Sequence, residues 1–476
     1  MVKEWKLLYD GTWNDGAFKK EIVSPYSGEV VGVVSFADEE IIKNSIQSLY
    51  DFFSEYRRFP RYKRAEILYK ASRLLEERKE KFIESIIMES GKVYKYAKGE
   101  VERAIENLRF CAEEVKQLRG EVVPMDSSKG GEGRFGYYLR IPRGVIVAIT
   151  PFNFPLNLVI HKVAPAVGSG NCVLLKPASQ TPITAIKFVE LLIESGLPTK
   201  AISVLPSNGS VAGEEFVKND RVSMITFTGS PKVGLWINNN IKGIKKVTLE
   251  LGSNSAMIVD KTANLEYAVK RAVVGSFAFS GQVCISLQRL YIHEEISSRF
   301  EELFREEVLK LKVGDPRLKD TDVGPMITES EAIRAEKWLE EAVSAGAKVV
   351  VGGKREGRIF YPTILTDVKP DMKIMCLEVF APIVSLVKFR DFEDALKMVN
   401  DSHYGLQAGI FTNDLKNAFK AIESLEVGGV IINDFPTFRV DQMPYGGVKM
   451  SGTGREGPRY AMEEMTEIKF VSFNLI

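Results

Sequence analysis

Residues 145–160, VIVAITPFNFPLNLVI, begin with a short β-rich run and continue through two prolines into an apolar segment. Further β-rich runs follow at CVLLKP, AISVLP and MITFTG, and helical segments such as AIKFVELLIES lie between them. This alternation is expected of βαβ units around a parallel sheet. We therefore predict an open α/β domain that starts near Gly144.

The chain on either side of this region follows other patterns. Apolar residues at helical spacing, with charged residues between them, predict helices over residues 38–118; they include Ile67, Leu68, Ala71, Leu74 and Leu75. A second alternation begins near Glu250, with SAMIVD, RLYIH, KVVVGG and VSLVKF as strands and FEELFREEVLKL and EAIRAEKWLEEAVSAG as helices. A second α/β domain is therefore expected.

Two further segments predict β-structure outside both domains. GGEGRFGYYLRIPRG, residues 130–144, resembles a β-hairpin arm, and EIKFVSFNLI, residues 467–476, is predicted to form a strand. An apolar terminal strand needs an edge with which to pair, and that edge belongs either to this subunit or to another.

Composition and charge argue against several classes of partner. Lys and Arg number 64 against 63 Asp and Glu, a net charge of +1, and neither sign forms long blocks, so we predict no nucleic-acid or membrane partner. The start, MVKEWKLLYDGTWNDG, lacks the apolar region of a secretion signal. Residues 145–160 fall short of the roughly 20 residues that span a bilayer. We expect a cytoplasmic protein of two or three domains, at about 150 residues each.

The cysteines and histidines are scattered along the chain. No local cluster of them has metal-ligand spacing, so we predict no metal site; they are Cys111, Cys172, Cys284, Cys376, His161, His293 and His403. Cysteines of this kind in a reducing compartment are mostly small core residues, and we expect that of Cys111 and Cys172.

Cys284 differs because of its surroundings. It lies in SGQVCIS, residues 280–286, a run too small and polar for a packed strand, after the amphipathic segment LEYAVKRAVVGSFAF. An accessible thiol there becomes a nucleophile if nearby groups lower its pKa. The alternative is an ordinary core cysteine.

Three other sites carry candidate chemistry, each with a structural alternative. Asn153, between a strand and a helix, is able to donate to an oxyanion or to be a turn asparagine. Glu250, in an apolar run, suits a general base or a structural ion pair. In MITFTGSPKVG, a strand leads through Gly229 and Ser230 into a helix, so the turn either binds a phosphate at the helix N-terminus or only connects the two elements.

Together these segments resemble the aldehyde dehydrogenase superfamily, NAD(P)-dependent enzymes that oxidise aldehydes to carboxylic acids. The resemblance runs from about residue 10 to the C-terminus, and its motifs occur in the family's order. They are PFNFP at 151, KPAS at 176, FTGS at 227, LELG at 249, GQVC at 281, EVFAP at 378 and PYGGVKMSGTGRE at 444.

The resemblance implies a catalytic set. It makes Cys284 the nucleophile, Asn153 with the Cys284 backbone N–H the oxyanion hole, and Glu250 the base that activates water. A thiohemiacetal would lose hydride to the cofactor, and the resulting thioester would be hydrolysed. The fold implied is a Rossmann-like cofactor domain, a catalytic domain and a β-arm for oligomerisation.

The resemblance also implies a dinucleotide site for NADP or NAD. It places Lys176 at the ribose hydroxyls, Gly229 and Ser230 at the pyrophosphate, Glu378 at the nicotinamide ribose and Phe380 beside the ring. Other family positions along the cofactor are Thr150, Phe152, Ser179, Gly209, Gly213 and Leu251. Where NAD-preferring relatives have an acidic residue, Ser179 is neutral, so NADP should be tolerated or preferred.

Two departures from the family pattern concern the cofactor side. Ala381 stands where a glycine is usual, and the turn near position 207 has the sequence PSNGS. The second departure leaves the adenine side less certain than the catalytic set.

Two arginines point to the substrate through the same resemblance. Arg439 falls in the loop that lines the aldehyde entrance, and Arg103 matches an arginine of triose-phosphate relatives. Guanidinium groups there favour an anionic or hydroxylated aldehyde. Alternatively, Arg103 pairs with Glu100 or Glu102, and Arg439 pairs with Asp441.

Val283 replaces a third arginine of the triose-phosphate relatives. We therefore predict that the substrate is a small aldehyde of the lactaldehyde or glyceraldehyde class. The second candidate is glyceraldehyde 3-phosphate, oxidised without phosphorylation, and the third is succinate semialdehyde. A coenzyme A-acylating enzyme is disfavoured by Glu250, and an inactive binding protein on the same scaffold by the intact catalytic set.

The resemblance also predicts the domain organisation. Residues 1–118, 143–249 and about 445–465 form the NAD(P)-binding domain, and 250–444 form the catalytic domain. Residues 119–142 and 466–476 form the arm and the terminal strand, through which we expect a homo-oligomer, a dimer or a tetramer.

Overall fold

The first of two large sheets contains the β-rich runs that follow Gly144. In the computed structural model, which describes residues 2–475, this sheet has eight strands in the order Gly452–Thr453, Lys246–Glu250, Val222–Thr228, Val145–Ile149, Cys172–Lys176, Ile202–Val204, Leu7–Tyr9 and Thr12–Asn14. Five central strands are parallel and the outer ones antiparallel. Because helices cover both faces, strands such as Cys172–Lys176 are buried along their whole length, which explains their continuous apolar sequence.

The strand order creates a crevice at one edge of this sheet. From Val145–Ile149 the chain adds two strands on one side and then returns to the other side with Val222–Thr228. Ligands bind at such a reversal, outside the carboxyl ends of the strands. Residues 150–153 and 229–230 follow those two neighbouring strands and therefore lie at the crevice.

The second large sheet has seven strands. Their order is Lys348–Val351, Thr363–Thr366, Ile383–Phe389, Arg289–His293, Ala256–Val259, Gln407–Phe411 and Gly429–Ile432. Only Lys348–Val351 pairs antiparallel with its neighbour among these described strands. The predicted α/β class is therefore confirmed.

Helices pack on both sheets. They comprise Glu39–Tyr56, Arg61–Glu77, Lys79–Ser90, Tyr94–Gln117, Asn157–Ser169, Pro182–Glu194, Gly209–Lys218, Pro231–Asn240, Leu265–Phe277, Glu294–Leu309, Glu329–Ser344, Lys373–Cys376, Phe392–Asn400, Leu415–Ser424 and Pro458–Glu464. The predicted helical region 38–118 corresponds to the first four. Within residues 2–475, no helix combines the length and apolar character needed to cross a membrane.

A third, antiparallel sheet stands apart from the other two. Its order is Thr466–Asn474, Arg134–Pro142 and Val122–Val123. Residues 130–144 thus hold one strand and not both strands of a hairpin, because the pairing strand lies earlier, at Val122–Val123. The terminal strand finds its edge within this chain, and Ile468, Phe470 and Phe473 on it remain exposed.

Three small sheets complete the described fold. Val30–Phe36 pairs with Glu4–Trp5 and Phe18–Val23, while the pairs Arg355–Glu356 with Ile359–Phe360 and Tyr404–Gly405 with Val448–Lys449 are two-stranded. The predicted domain boundaries stay a prediction.

Candidate active site

A cavity of about 370 Å³ opens at the crevice of the first sheet and reaches Cys284. Its wall brings together most of the residues that the sequence motifs singled out, although they come from both α/β regions. They are Phe152, Asn153, Gly229, Ser230, Glu250, Leu251, Cys284, Glu378 and Phe380.

The segment before Cys284 is a strained left-handed turn. Helix Leu265–Phe277 ends, and Phe279, Ser280 and Gly281 then have φ of 47°, 55° and 70°. A Cβ on Gly281 would overlap the Ala381 carbonyl, so only glycine fits there. Strain of this kind persists only where the surrounding structure holds it.

Side chains of the turn anchor it to residues 324–327. Ser280 Oγ donates to the Gly324 carbonyl at 2.8 Å, and Gln282 Oε1 accepts from the Ile327 N–H at 2.9 Å. These bonds fix the position of Cys284 between the crevice and a second cavity.

The Cys284 thiol is partly buried, and its Sγ lies 3.0 Å from the Tyr445 hydroxyl. Burial raises the pKa of this thiol to about 11, against the lowering effects of the Tyr445 hydrogen bond and the Arg439 charge. The charges of Glu378 and Glu250 raise it further. Reactivity at neutral pH therefore requires local stabilisation of the thiolate.

Asn153 lies beside the turn that carries Cys284. Its buried side chain donates from Nδ2 to the Gln282 carbonyl at 3.0 Å, which orients the amide toward the nucleophile segment. The amide nitrogen has a second N–H, and Asn153 Oδ1 has no hydrogen-bond partner among the described residues. The geometry suits a fixed donor to an oxyanion.

Glu250 ends the strand Lys246–Glu250 and is almost fully buried. Neither carboxylate oxygen has a hydrogen-bond partner within residues 2–475, so the structural ion pair weighed as its alternative is not formed. Burial, followed by the Glu456 charge, raises the Glu250 pKa well above its ordinary value, while Lys162 and Arg439 oppose this. A carboxyl group with a raised pKa is suited to proton transfer.

Glycine in the PYGG motif makes room for this carboxylate. A Cβ on Gly446 would lie 2.7 Å from Glu250 Oε1 and would also crowd the Gly454 carbonyl. Gly446 therefore lets the loop that carries Tyr445 pass directly over Glu250.

A second cavity, of about 200 Å³, lies on the other side of Cys284. Its wall is mainly apolar, with Phe154, Phe279, Val283, Ile285 and Phe435 among its residues. It also contains three cations, Lys92, Arg103 and Arg439, and no carboxylate from the described part of the chain.

The ion pairs behind these cations differ from those expected. Arg103 pairs with Asp441, and neither Glu100 nor Glu102 is its partner. Glu100 instead pairs with the buried Lys92, on the same side of the cavity. The predicted pairs were wrong because helix neighbours compete with residues that the fold brings close.

Arg439 likewise does not pair with Asp441. Its Nη2 donates to Glu456 Oε2 at 2.9 Å and lies 3.2 Å from His161 Nε2, while its guanidinium stacks 3.6 Å above the Tyr445 ring. Its buried Nε has no partner among residues 2–475. Arg439 therefore keeps one buried guanidinium N–H without a partner among the described residues.

Glu378 and Phe380 form the wall of the larger cavity opposite the first sheet. Glu378 Oε1 accepts from the Ser253 N–H at 3.0 Å, and burial raises its pKa to about 7. Phe380 has a left-handed φ of 50° and meets Phe152 edge-on, with ring centroids 6.0 Å apart.

The remaining predicted cofactor residues lie outside this cavity. Lys176 ends the next strand of the sheet, its carbonyl accepts from the Thr150 N–H at 3.2 Å, and Ser179 Oγ donates to the Ser207 carbonyl at 3.3 Å, just before Gly209. Burial and the nearby charge of Lys20 lower the Lys176 pKa to about 8. Gly213 packs against the Trp236 ring, so its small size serves helix packing.

Several residues of the two cavities were not predicted. Arg334 and Trp338, on helix Glu329–Ser344, line the cofactor side, and Tyr445 lies against the thiol. The motif PYGGVKMSGTGRE contained Tyr445 and Glu456 without indicating their contacts. No sequence signal connected Lys20 with Lys176.

Comparison with known proteins also indicates an aldehyde dehydrogenase. A model of the aldehyde dehydrogenase family matches residues 13–471. The 3-sulfolactaldehyde dehydrogenase of Priestia megaterium is 47% identical over 474 residues, covering 100% of this chain and 99% of its own. The lactaldehyde dehydrogenase of Methanocaldococcus jannaschii is 40% identical, with coverage of 98% and 99%.

Solved structures are similar over nearly all of the chain. Aldehyde dehydrogenase 21 from Physcomitrella patens, in complex with the reaction product succinate, superposes with a TM-score of 0.97 at 40% identity, covering 100% and 99% of the two chains. A glyceraldehyde-3-phosphate dehydrogenase from M. jannaschii, complexed with NADP, has a TM-score of 0.92 at 39% identity, with coverage of 96% and 100%.

Proposed function

The chain belongs to the aldehyde dehydrogenase family as an NAD(P)-dependent oxidoreductase, and from that premise we propose that Cys284, Asn153 and Glu250 carry out its chemistry. The residues present fit a dinucleotide. The Gly229–Ser230 turn leads into helix Pro231–Asn240, whose N-terminus favours an anion. Arg334 Nη1, in the wall of the same cavity, is a buried donor without a partner among the described residues.

In the proposed reaction the Cys284 thiolate attacks the aldehyde carbon. The oxygen that becomes negative accepts hydrogen bonds from Asn153 Nδ2 and the Cys284 backbone N–H. A bound nicotinamide would supply the hydride acceptor, and loss of hydride from this carbon would leave the substrate as a thioester of Cys284. Glu250, once ionised, removes a proton from water, which attacks the thioester carbon; the carboxylate product leaves and the thiol is regenerated.

We propose a short aldehyde that carries an anionic group or hydroxyls. The observation that carries this is the wall of the smaller cavity, which Lys92, Arg103 and Arg439 line while their carboxylate partners lie behind it, so that no carboxylate from residues 2–475 is in the wall. A volume of about 200 Å³ admits only a few heavy atoms beyond the aldehyde. Val283 stands where triose-phosphate relatives often have a third arginine, so this wall offers fewer donors to a doubly charged phosphate, and a singly charged sulfonate or carboxylate fits better.

The first candidate is 3-sulfolactaldehyde, because the relative that bears this name is 47% identical over the full chain. Lactaldehyde and glyceraldehyde are the neutral candidates. Glyceraldehyde 3-phosphate and succinate semialdehyde follow.

Initial rates test this proposal most directly with 3-sulfolactaldehyde and lactaldehyde as a matched pair. The two share a three-carbon hydroxyaldehyde skeleton and differ in the sulfonate. We expect a higher kcat/KM for the sulfonate. A preference for lactaldehyde, or for long aliphatic aldehydes, would contradict the assignment of the cavity.

We propose that NADP is preferred over NAD. Support comes from Ser179, which is neutral, and from the ammonium groups of Lys176 and Lys20. Besides burial, the charge of Lys20 lowers the pKa of Lys176, so the two groups lie near each other. Lys20 also donates to Asn208 Oδ1 at 3.1 Å, next to the Ser207 carbonyl that holds Ser179. A 2′-phosphate would be stabilised between these cations.

We further propose a homo-oligomer, a dimer or a tetramer, assembled through the arm sheet, which is the three-stranded sheet of Thr466–Asn474, Arg134–Pro142 and Val122–Val123. Exposed apolar residues on its outer strand, among them Ile468 and Phe470, support this because such a patch favours a protein contact. The four free cysteines are consistent with the proposed cytoplasmic location.

A further inference from the structure

We propose that Tyr445 is a catalytic residue whose hydroxyl donates a hydrogen bond to the Cys284 thiolate and so stabilises the ionised form of the nucleophile. The proposal rests on the role of Cys284 given above. Tyr445 Oη and Cys284 Sγ are 3.0 Å apart, although 161 positions separate them in the chain. Tyr445 is buried and lies in the wall of the smaller cavity.

The direction of this hydrogen bond follows from ionisation. A neutral thiol is able to donate or accept, whereas a thiolate only accepts, so the phenol must be the donor once the proton has left. Hydrogen bonds to a charged partner are stronger than those between neutral groups. The contact therefore stabilises the thiolate more than the thiol.

Arg439 strengthens this donor. Its guanidinium lies 3.6 Å from the centre of the Tyr445 ring and is held in place by Glu456 and His161. A cation over the ring face draws electron density from the phenol and makes its O–H a better donor. Arg439 is therefore a positioning residue for Tyr445 as well as part of the cavity wall.

Four charged or titratable groups act on the thiol. Tyr445 and Arg439 lower its pKa, and Glu378 and Glu250 raise it, while burial raises it most. Among the described residues, only Tyr445 is hydrogen-bonded to the sulfur. Burial also raises the pKa of Tyr445 well above its ordinary value, so the phenol keeps its proton while the thiol proton passes to solvent water.

The test is the pH dependence of Cys284 alkylation by iodoacetamide, without aldehyde or cofactor. Peptide mass spectrometry separates this site from the other cysteines. Tyr445→Phe should raise the apparent pKa of the thiol by about 1 to 2 units, so that alkylation at neutral pH slows by about 10- to 100-fold. Tyr96→Phe removes another phenol from the same cavity wall and should leave the thiol pKa unchanged.

A second variant, Arg439→Lys, keeps a positive charge but loses the planar stacking, and should raise the same pKa by less. An unchanged alkylation profile in a folded Tyr445→Phe protein, with native circular dichroism, overturns the proposal. So does slower turnover without a change in thiol pKa, because that result means a packing role. Failure of the proposed function is a separate result, namely NAD(P)H formation by Cys284→Ser.

Discussion

Arg103 donates two hydrogen bonds to Asp441, 338 positions later in the chain, from Nη2 to Oδ1 at 2.7 Å and from Nε to Oδ2 at 3.1 Å. Asp441 also accepts from Asn157 Nδ2 at 2.9 Å and lies 2.8 Å from His161 Nε2. Although burial alone would raise the pKa of Asp441, His161 and Arg103 hold it far below its ordinary value. The carboxylate therefore stays ionised and fixes the guanidinium at the cavity wall.

Arg103→Gln should lower kcat/KM for an anionic aldehyde by about tenfold or more, since a charge-assisted contact is worth about 1.5–3 kcal/mol. Lactaldehyde should be affected much less. Arg109→Gln is the matched control, because Arg109 is on the same helix but pairs with the exposed Glu76. Equal losses for charged and neutral aldehydes would show that Arg103 only supports the structure.

Cys284→Ser should abolish NAD(P)H formation with every aldehyde, because a serine hydroxyl is a far weaker nucleophile without a base to activate it. Cys376→Ser, which changes another partly buried thiol, should retain activity. Absorbance at the reduced nicotinamide band measures both. Turnover by Cys284→Ser would reject the thiol mechanism.

Glu250→Gln should form one NAD(P)H per active site in a rapid burst and then turn over slowly. The amide has the shape of the carboxyl group but cannot accept a proton from water, so the thioester accumulates. Stopped-flow absorbance separates the two phases, and mass spectrometry identifies the acylated Cys284. An unchanged steady-state rate would show that a group other than Glu250 activates the water.

Activity should rise with pH through the range from about 7 to 9. The thiol and the Glu250 carboxyl must both lose protons to react, and burial raises the pKa of each, to about 11 for Cys284 and well above the ordinary value for Glu250. A raised pKa in the folded state means that deprotonation favours unfolding as pH increases. Glu250→Gln should therefore lose less thermal stability than the wild type as pH rises above about 4.5, the ordinary value for this carboxyl group.

Lys20→Ala should raise the KM for NADP several-fold and leave the KM for NAD nearly unchanged, because only NADP carries the 2′-phosphate. Lys19→Ala is the control, since the neighbouring lysine pairs with Glu4 at 2.6 Å. Ser179→Glu should act in the same direction with a larger effect by repelling the phosphate. Equal changes in KM for NADP and NAD would show that Lys20 does not recognise the 2′-phosphate.

Ile468→Asp should dissociate the oligomer, because it places a charge on the exposed apolar face of the arm sheet. Sedimentation velocity measures the change in mass. Leu415→Asp is the control, since Leu415 is also exposed but lies on helix Leu415–Ser424, outside the arm sheet. An assembly that survives Ile468→Asp would locate the contact on another surface.

Local sequence patterns predicted much of the fold, and the family motifs named the candidate residues of the site. Hydrophobic periodicity acts over a few neighbouring residues, so the strands and helices around Gly144 and beyond Glu250 were predictable. Asn153 and Glu250 were also recognisable as candidates, because each is a polar residue at or just beyond the end of an apolar strand, where the carboxyl ends of parallel strands meet.

The tertiary structure alone decided which side chains meet across long sequence separations. Arg103 pairs with Asp441 rather than its helix neighbours, Lys92 takes Glu100, and Tyr445 reaches Cys284. A buried charge must find a partner, and which partner is near depends on how the two sheets and their loops pack, a property no local segment contains. The sequence therefore determined the elements and which residues are candidates for the chemistry. The packing of distant elements decided their charge, their hydrogen bonds and the shape of the cavity around them.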